Sequence, residues 1–411
     1  MDGNPDIKTI RDSPIRVLHL VHTLTRGGIE YWLLDLFRTT DRNVLEMDVC
    51  CRGPNTGVQA PKFAALGAKI HLMPLGWNHA AFGRRLGRLL REGRYDLLHI
   101  HAGSFAGYPT VVGRRNGVAV ATTFHSTNFP FETGALKFVL GWMRAVYTRR
   151  SFRTACTLGN AIVSCSRSTQ DAVTRVSGIA LDDRFHIVPH GSTKGPGRDP
   201  EARNRLRREL GIPHDAPVAI HVGIMKVPKN HAGLIRVADH IRRGLPNFRL
   251  LVAGDGPLRP HVEAQIRQSN LESTVNLLGL RDDVEQLLDA ADLMIFPSHW
   301  EGLPVAVIEA QMKGLPVVGT DIGPMKEATV EGKTALLFPA EKEADMAQAV
   351  VQLFSDATRR LTMGRDATQF AEQHFSAQAN AARHLDIYRQ ALAQSPAPSD
   401  ATSRTTSVSR S

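Results

Sequence analysis

Short runs rich in Val, Ile and Leu alternate with longer stretches whose apolar positions recur at helical spacing. In the first half of the chain the short runs fall at 15–21 (IRVLHLV), 47–51, 69–73, 97–101, 120–124, 161–165 and 186–189. In the second half they fall at 218–222 (VAIHV), 248–253, 275–278, 293–297 (LMIFP), 316–319 and 335–338. Helical stretches such as 30–39, 201–210, 231–243, 258–268, 283–290 and 305–313 separate them, so the pattern predicts repeated β-α-β units. Right-handed crossovers turn such units into parallel sheets with helices on both faces. The cycle breaks in a polar stretch, GSTKGPGRDPEA at 191–202, and restarts at Val218. The expectation is two doubly wound, Rossmann-like α/β domains in tandem, 14–192 and 201–365, joined by a linker at 193–200. A helical segment at 366–390 has the option of packing back on the first domain, and the small polar tail at 394–411 is expected to be disordered. Ligands of such sheets bind beyond the carboxyl ends of the strands, and two facing sheets place a cleft between the domains.

Composition narrows the class. The chain has 411 residues, 42% of them hydrophobic, which is enough for packed cores over most of the length. Single cores stop growing at about 250–300 residues, which again calls for two domains. No run approaches the roughly 18 apolar residues of a membrane span; the best, at 135–147, is interrupted by Lys137 and Arg144. The opening MDGNPDIKTI is unlike a secretory signal, and Cys50, Cys51, Cys156 and Cys165 have neither metal nor disulfide-framework spacing. A reduced, cytoplasmic protein is expected.

Charge is unevenly divided. Residues 1–200 carry 26 Lys and Arg against 15 Asp and Glu, whereas residues 201–411 carry 24 against 25. Five arginines lie in RRLGRLLREGR at 84–94, and Lys137, Arg144, Arg149, Arg150 and Arg153 follow a second helical stretch. Neither stretch interleaves aromatic residues as a base-stacking surface would, so nucleic acid is not the expected partner. Basic amphipathic helices suit an anionic membrane surface, although a solvated arginine-rich face gives the same pattern.

The strongest local signal is EGLPVAVIEAQMKGLPVVGT at 301–320. A strand ends, a loop carries Glu301, Gly302 and Leu303, and Pro304 stands where a helix should begin at Val305. Free amides and the positive end of the helix dipole suit a phosphate there. Carboxylates accept hydrogen bonds from sugar or ribose hydroxyls, and Glu309 follows Glu301 on the helix. As a bare pair, two such glutamates are more often chance surface residues.

The string in its context resembles the E-x7-E block of the family 4 retaining glycosyltransferases, which have the two-domain GT-B fold. The likeness runs from about Val17 to Tyr388. VLHLVHTLTRGGIE at 17–30, TTFHS at 122–126, IVPHG at 187–191, HVGIMKVPKNH at 221–231, LVAGDGPL at 251–258 and LLGLRDDVEQLLDAADLMIFPS at 277–298 follow in the family's order. The chain looks most similar to enzymes of exopolysaccharide, capsule and lipopolysaccharide assembly.

The resemblance implies roles position by position. Glu309 would hold the nucleotide ribose, and Glu301 would contact hydroxyls of the donor sugar. Backbone amides of Gly302, Leu303, Pro304's neighbour Val305 and the surrounding loop would support sugar and diphosphate, with Lys229 on the diphosphate. Gly27 and Gly28 would form the loop beneath the phosphates and the reacting centre, Glu30 would anchor the next helix, His125 would stand beside the donor sugar, and Arg281 would lie near the nucleobase. Read without the resemblance, Gly27 and Gly28 make a turn, His99, His101 and His125 are structural, Lys229 is a surface lysine, and Arg281 pairs with Asp282 or Asp283. Two positions depart from the family pattern: Ile224 follows Gly223 where relatives carry an arginine, with Lys226 as a candidate substitute, and His190 replaces an asparagine.

The function implied is retaining transfer from a nucleotide-diphosphate sugar, a UDP-sugar ahead of GDP-mannose, to a saccharide acceptor that is lipid-linked. Asp-x-Asp occurs nowhere in the chain, so neither a metal nor another cofactor is expected, and the enzyme would sit at the cytoplasmic face of the membrane. The rival readings are a GT-B epimerase or phosphorylase, and a non-catalytic protein that binds a nucleotide sugar or another subunit.

Overall fold

The computed structural model describes residues 13–101, 103–128 and 135–394, the side chains of 135–140 excepted. Apart from Gln394, the expected disordered tail lies outside the described residues, as does the side chain of Lys137. Strands β1 (Ile15–Val21), β2 (Leu45–Cys51), β3 (Ile70–Leu72), β4 (Leu97–Ile100), β5 (Ala119–Phe124), β6 (Ala161–Ser164) and β7 (Phe185–Ile187) form one sheet, in the order β3-β2-β1-β4-β5-β6-β7. Strands β8 (Val218–Val222), β9 (Arg249–Ala253), β10 (Val275–Gly279), β11 (Leu293–Phe296), β12 (Val317–Thr320) and β13 (Ala335–Phe338) form the other, in the order β10-β9-β8-β11-β12-β13. Every pairing between these strands is parallel. The architecture is two doubly wound α/β domains, the fold class expected from the alternation of strands and helices.

Central strands are buried on both faces, which is why β1, β4, β5, β8 and β11 read as near-continuous apolar runs rather than as alternations. In each sheet the strand order reverses beside the first strand, at β1/β4 and at β8/β11. Both reversals open crevices at carboxyl ends of strands, where such sheets bind ligands.

The domains share more than a linker. Helix Pro200–Glu209 opens the second domain, capped by the Asp199 side chain, and its Arg203 and Arg207 pair with Asp292 at 2.6 and 2.9 Å. Beyond helix Glu343–Ser355, which follows the last strand, come two more, Ala357–His374 and Ala377–Ala393, separated at Phe375 and Ser376, with the Ser376 side chain capping the second. The sequence boundary at 365/366 falls inside the first of them. That helix packs on Val305–Met312 of the second domain, whereas Ala377–Ala393 returns to Gly28–Thr39 of the first. There Ile387, Tyr388 and Ala391 join the core beneath the first sheet. Buried Trp32 donates its indole N–H to Asn380 at 3.1 Å.

Candidate active site

A cleft of roughly 1200 Å³, open solvent at its mouth included, lies between the two sheets. Of the residues singled out by sequence, Gly27, Gly28, His125, Lys229, Arg281, Glu301, Gly302, Leu303, Val305 and Glu309 all line it. Pro304 does not; it is the uncapped N-cap of helix Val305–Met312. Five strand ends, from β1, β5, β8, β10 and β11, thus deliver residues distant in sequence to one cavity.

Gly28 meets the Val305 side chain across the cleft, with 3.5 Å from an ideal Cβ to that residue. At Gly302 the constraint is absolute, because a Cβ would stand 2.1 Å from the His125 carbonyl oxygen. Only glycine lets the 301–303 loop lie against the end of β5. Glu30 folds back over Gly27, accepting from the Thr25 hydroxyl at 3.3 Å, and burial raises its pKa.

Lys229 donates to Glu301 at 2.6 Å and lies 4.9 Å from the centre of the Phe296 ring. Its direction is fixed by Asn230, which adopts φ +49° and caps helix His231–Gly244. The Asn230 amide also donates to the Pro297 carbonyl at 3.1 Å, and asparagine tolerates that left-handed backbone better than most residues. Glu309 is buried and faces Lys194 from the linker at 3.7 Å. Burial lifts the Glu309 pKa above the usual carboxylate value, against the pull of Lys194. For Lys194 burial works against the charge, but Glu309 and Glu285 outweigh it and hold its pKa up. On the rim, Arg281 pairs with Asp283 through two bonds of 2.6 and 2.7 Å, while Arg26 of the first domain grips Asp282 of the second at 2.7 Å. Ile224 lines the cleft, but Lys226 is exposed and does not.

Behind this wall lies a feature that sequence reading missed. Four imidazoles run in series: His19 Nδ1 stands 3.0 Å from His101 Nε2, His101 Nδ1 3.0 Å from His125 Nε2, and His125 Nδ1 3.1 Å from His190 Nε2. Both ring nitrogens of His125 are therefore engaged by other histidines. Trp32 lies against His101, His125, His190 and His384, with ring centres 4.9 to 5.8 Å apart. Loss of hydration drives the pKa of His19 and His190 down to about 3 and that of His384 to about 4, and holds His99, His101 and His125 well below 6.5. Neutral rings can each donate once and accept once, so the two inner rings, His101 and His125, have both nitrogens satisfied by the chain. Ligand nitrogens of His19, His99 and His101 come within 4.8 Å of one another, close enough for a metal. Hydrogen-bond partners already occupy both His99 nitrogens, Tyr388 Oη and Thr123 Oγ1, each at 2.6 Å.

Comparison with known proteins agrees with this arrangement. The family model described as Glycosyltransferase Family 4 matches residues 26–193, and that described as Glycosyl transferases group 1 matches 202–370. EpsF of Bacillus subtilis (strain 168), which carries a provisional glycosyltransferase name, is 27% identical over 393 residues, 92% of this chain and 97% of its own. A D-inositol 3-phosphate glycosyltransferase of Xylanimonas cellulosilytica is 26% identical over 405 residues, 90% of this chain and 93% of its own. Among solved structures, Anabaena Alr3699/HepE in complex with UDP and glucose superposes with a TM-score of 0.79 at 18% identity, covering 91% of this chain and 99% of that one. WaaG, a glycosyltransferase involved in lipopolysaccharide biosynthesis, gives 0.67 at 17%, covering 90% and 99%. With both domains matched in order and the cleft residues in place, the chain belongs to the family 4, group 1 glycosyltransferases and is a glycosyltransferase of the GT-B fold.

Proposed function

We propose that the enzyme transfers a sugar, with retention of anomeric configuration, from a nucleotide-diphosphate donor to a lipid-linked saccharide in cell-surface polysaccharide assembly. The observation that carries this reading is the convergence of Lys229, Glu301, Glu309 and the start of helix Val305–Met312 on one cleft opposite Gly27 and Gly28. A UDP-sugar is favoured over GDP-mannose, in keeping with the UDP and UDP-glucose bound by the HepE structures.

The chemistry follows from the charges. As the glycosidic bond to the diphosphate stretches, negative charge grows on the leaving oxygen and the sugar takes on oxocarbenium character. Lys229 and the amides of helix Val305–Met312 stabilise the former without reorganisation. The Lys229 salt bridge at 2.6 Å orients Glu301 toward the sugar hydroxyls rather than leaving it free to attack. The acceptor hydroxyl enters on the face the diphosphate leaves, and a phosphate oxygen takes its proton. No metal or other cofactor is needed in this scheme.

Glu309→Ala should weaken binding of UDP by about one to two orders of magnitude, since charge-assisted hydrogen bonds contribute about 1.5–3 kcal/mol. Because burial raises the pKa of Glu309, wild-type affinity should fall as the pH is lowered through that raised value. Glu309→Gln should remove this slope. Calorimetry across pH tests both, and undiminished UDP binding by the alanine variant would rule out Glu309 as the ribose ligand.

The membrane part rests on the first domain. Arg84, Arg85, Arg88 and Arg91 are exposed on helix His79–Glu92, and Arg149, Arg150 and Arg153 on helix Ala135–Leu158. The second helix also exposes Trp142, Met143 and Tyr147, and Trp77 beside the first is fully exposed. Among the described residues no helix is long and apolar enough to cross a membrane. Basic residues near an anionic leaflet gain about 1 kcal/mol each, and aromatic side chains settle at headgroup depth. The protein should sediment with anionic liposomes at low salt and be released at high salt, and charge reversal at Arg84, Arg85 and Arg88 should abolish this while sparing UDP binding. Failure to bind anionic liposomes, or binding indifferent to salt, would favour a soluble acceptor.

A further inference from the structure

The 301–303 loop belongs to the second domain, yet its carbonyls are held by the first. Thr127 Oγ1, just beyond β5, donates to the Glu301 carbonyl at 2.6 Å. Ser166 Oγ, just beyond β6, donates to the Gly302 carbonyl at 2.7 Å. Ser166 also caps helix Arg167–Ser177, accepting from the Thr169 amide at 3.0 Å, and its Oγ stands 2.9 Å from Thr169 Oγ1, which itself reaches the Gly302 carbonyl at the longer distance of 3.4 Å. Glu327 of the second domain accepts from the amides of Arg167 and Ser168 at 2.6 and 2.8 Å, which fastens the same helix start to the opposite domain.

Peptide planarity gives these two bonds their meaning. Across a trans peptide the N–H points opposite to the preceding C=O, and the described residues contain no cis bond. Fixing the carbonyls of Glu301 and Gly302 toward the first domain therefore turns the amides of Gly302 and Leu303 away from it. Among the described residues neither amide has a protein acceptor, nor do those of Val305 and Ala306 in the first turn of the helix. Buried amides without partners are costly unless a ligand meets them. All four residues line the cleft.

We propose that Thr127 and Ser166 are positioning residues, whose hydroxyls clasp the carbonyls of Glu301 and Gly302 across the domain gap and hold the following amides ready for the donor's diphosphate. The inference rests on the nucleotide-sugar reading of the cleft. It adds that the anion site of the second domain is complete only when the first domain has closed on it. Neither hydroxyl needs to touch the substrate.

The test compares UDP with UMP by calorimetry. UMP lacks the terminal phosphate, so it depends less on the clasped loop. Thr127→Val removes the hydroxyl at constant shape. Ser166→Gly removes it while preserving a residue type that caps helices nearly as well. The double variant should bind UDP about tenfold more weakly, as expected for the loss of two ordinary hydrogen bonds, while UMP binding changes less than threefold or so. Thr127→Ser, which keeps the hydroxyl, should restore the wild-type ratio at that position. Equal weakening of UDP and UMP, or unchanged UDP affinity, would overturn the clasp, since general loosening of the fold affects both nucleotides alike. Wild-type protein that bound neither UDP nor GDP would instead overturn the nucleotide reading itself.

Discussion

Lowering the pH from about 7 to about 5.5 is expected to remove on the order of 5 kcal/mol of folding stability, a large part of the roughly 5–15 kcal/mol typical of a domain. The cause is the histidine cluster beneath the first sheet's carboxyl edge. His19, His99, His190 and His384 are all buried, with pKa values driven below the ordinary 6.5 by lost hydration. In the unfolded chain the same rings take up protons as the pH falls through about 6.5, while in the folded protein they stay neutral until far lower. Each therefore contributes stability that is present above that value and lost below it, about 1.3 kcal/mol apiece over this interval. His101 and His125 add to the loss, discounted for their partial exposure. Glu30 and Glu309 work in the opposite direction, because their raised pKa values let the folded protein take up protons first. Asp289 joins the carboxylates, whereas His221 and His231 of the second domain join the histidines. Urea titrations at a series of pH values measure the slope, and a level unfolding free energy across this interval would mean that the rings protonate in place.

Lys229→Ala should reduce turnover by about two to three orders of magnitude, the usual effect of removing one preorganised donor from a developing charge. Two losses combine in that variant. The leaving diphosphate loses its cation, and Glu301, with a side chain only 11% exposed, loses its partner at 2.6 Å. Wild-type turnover should meanwhile survive EDTA, because the lysine and the helix start supply the positive charge. A nucleotide-sugar panel read by mass spectrometry first identifies a consumed donor, against which both measurements are made. A variant within threefold of wild type, or activity abolished by chelation and restored by manganese or magnesium, would refute this account of leaving-group stabilisation.

The alternation of apolar runs made the two-sheet architecture legible, because central parallel strands such as IRVLHLV and VAIHV announce themselves by unbroken burial. Boundaries were blurrier: β2 begins at Leu45 rather than 47, and the C-terminal helical stretch is two helices with different partners. At the site, residues singled out within long motifs, including His125, Lys229, Glu301 and Glu309, do meet at one cleft. Arg281 pairs with Asp283, as its reading without the resemblance has it, and also lines the cleft. The imidazole chain was not recoverable, since His19, His101, His125 and His190 meet only when strand ends are brought into register. His99 and His101 looked structural one at a time, and nothing in their spacing reveals a shared network. Lys194 hid in a linker that reads as a spacer, yet it faces Glu309. Thr127 and Ser166 act through backbone carbonyls, which leave no trace in a sequence.

The return of helix Ala377–Ala393 to the first domain also governs the order of events at the ribosome. Trp32 and His99 emerge before the second domain, but Asn380 and Tyr388, which satisfy the indole N–H and an imidazole nitrogen, emerge after it. The first domain's core thus stays unfinished while the entire second domain is translated, and a nascent chain exposes an apolar groove along Gly28–Thr39 until Ala377–Ala393 arrives to seal it. Synthesis of the second domain is thereby completed before the first can finish folding.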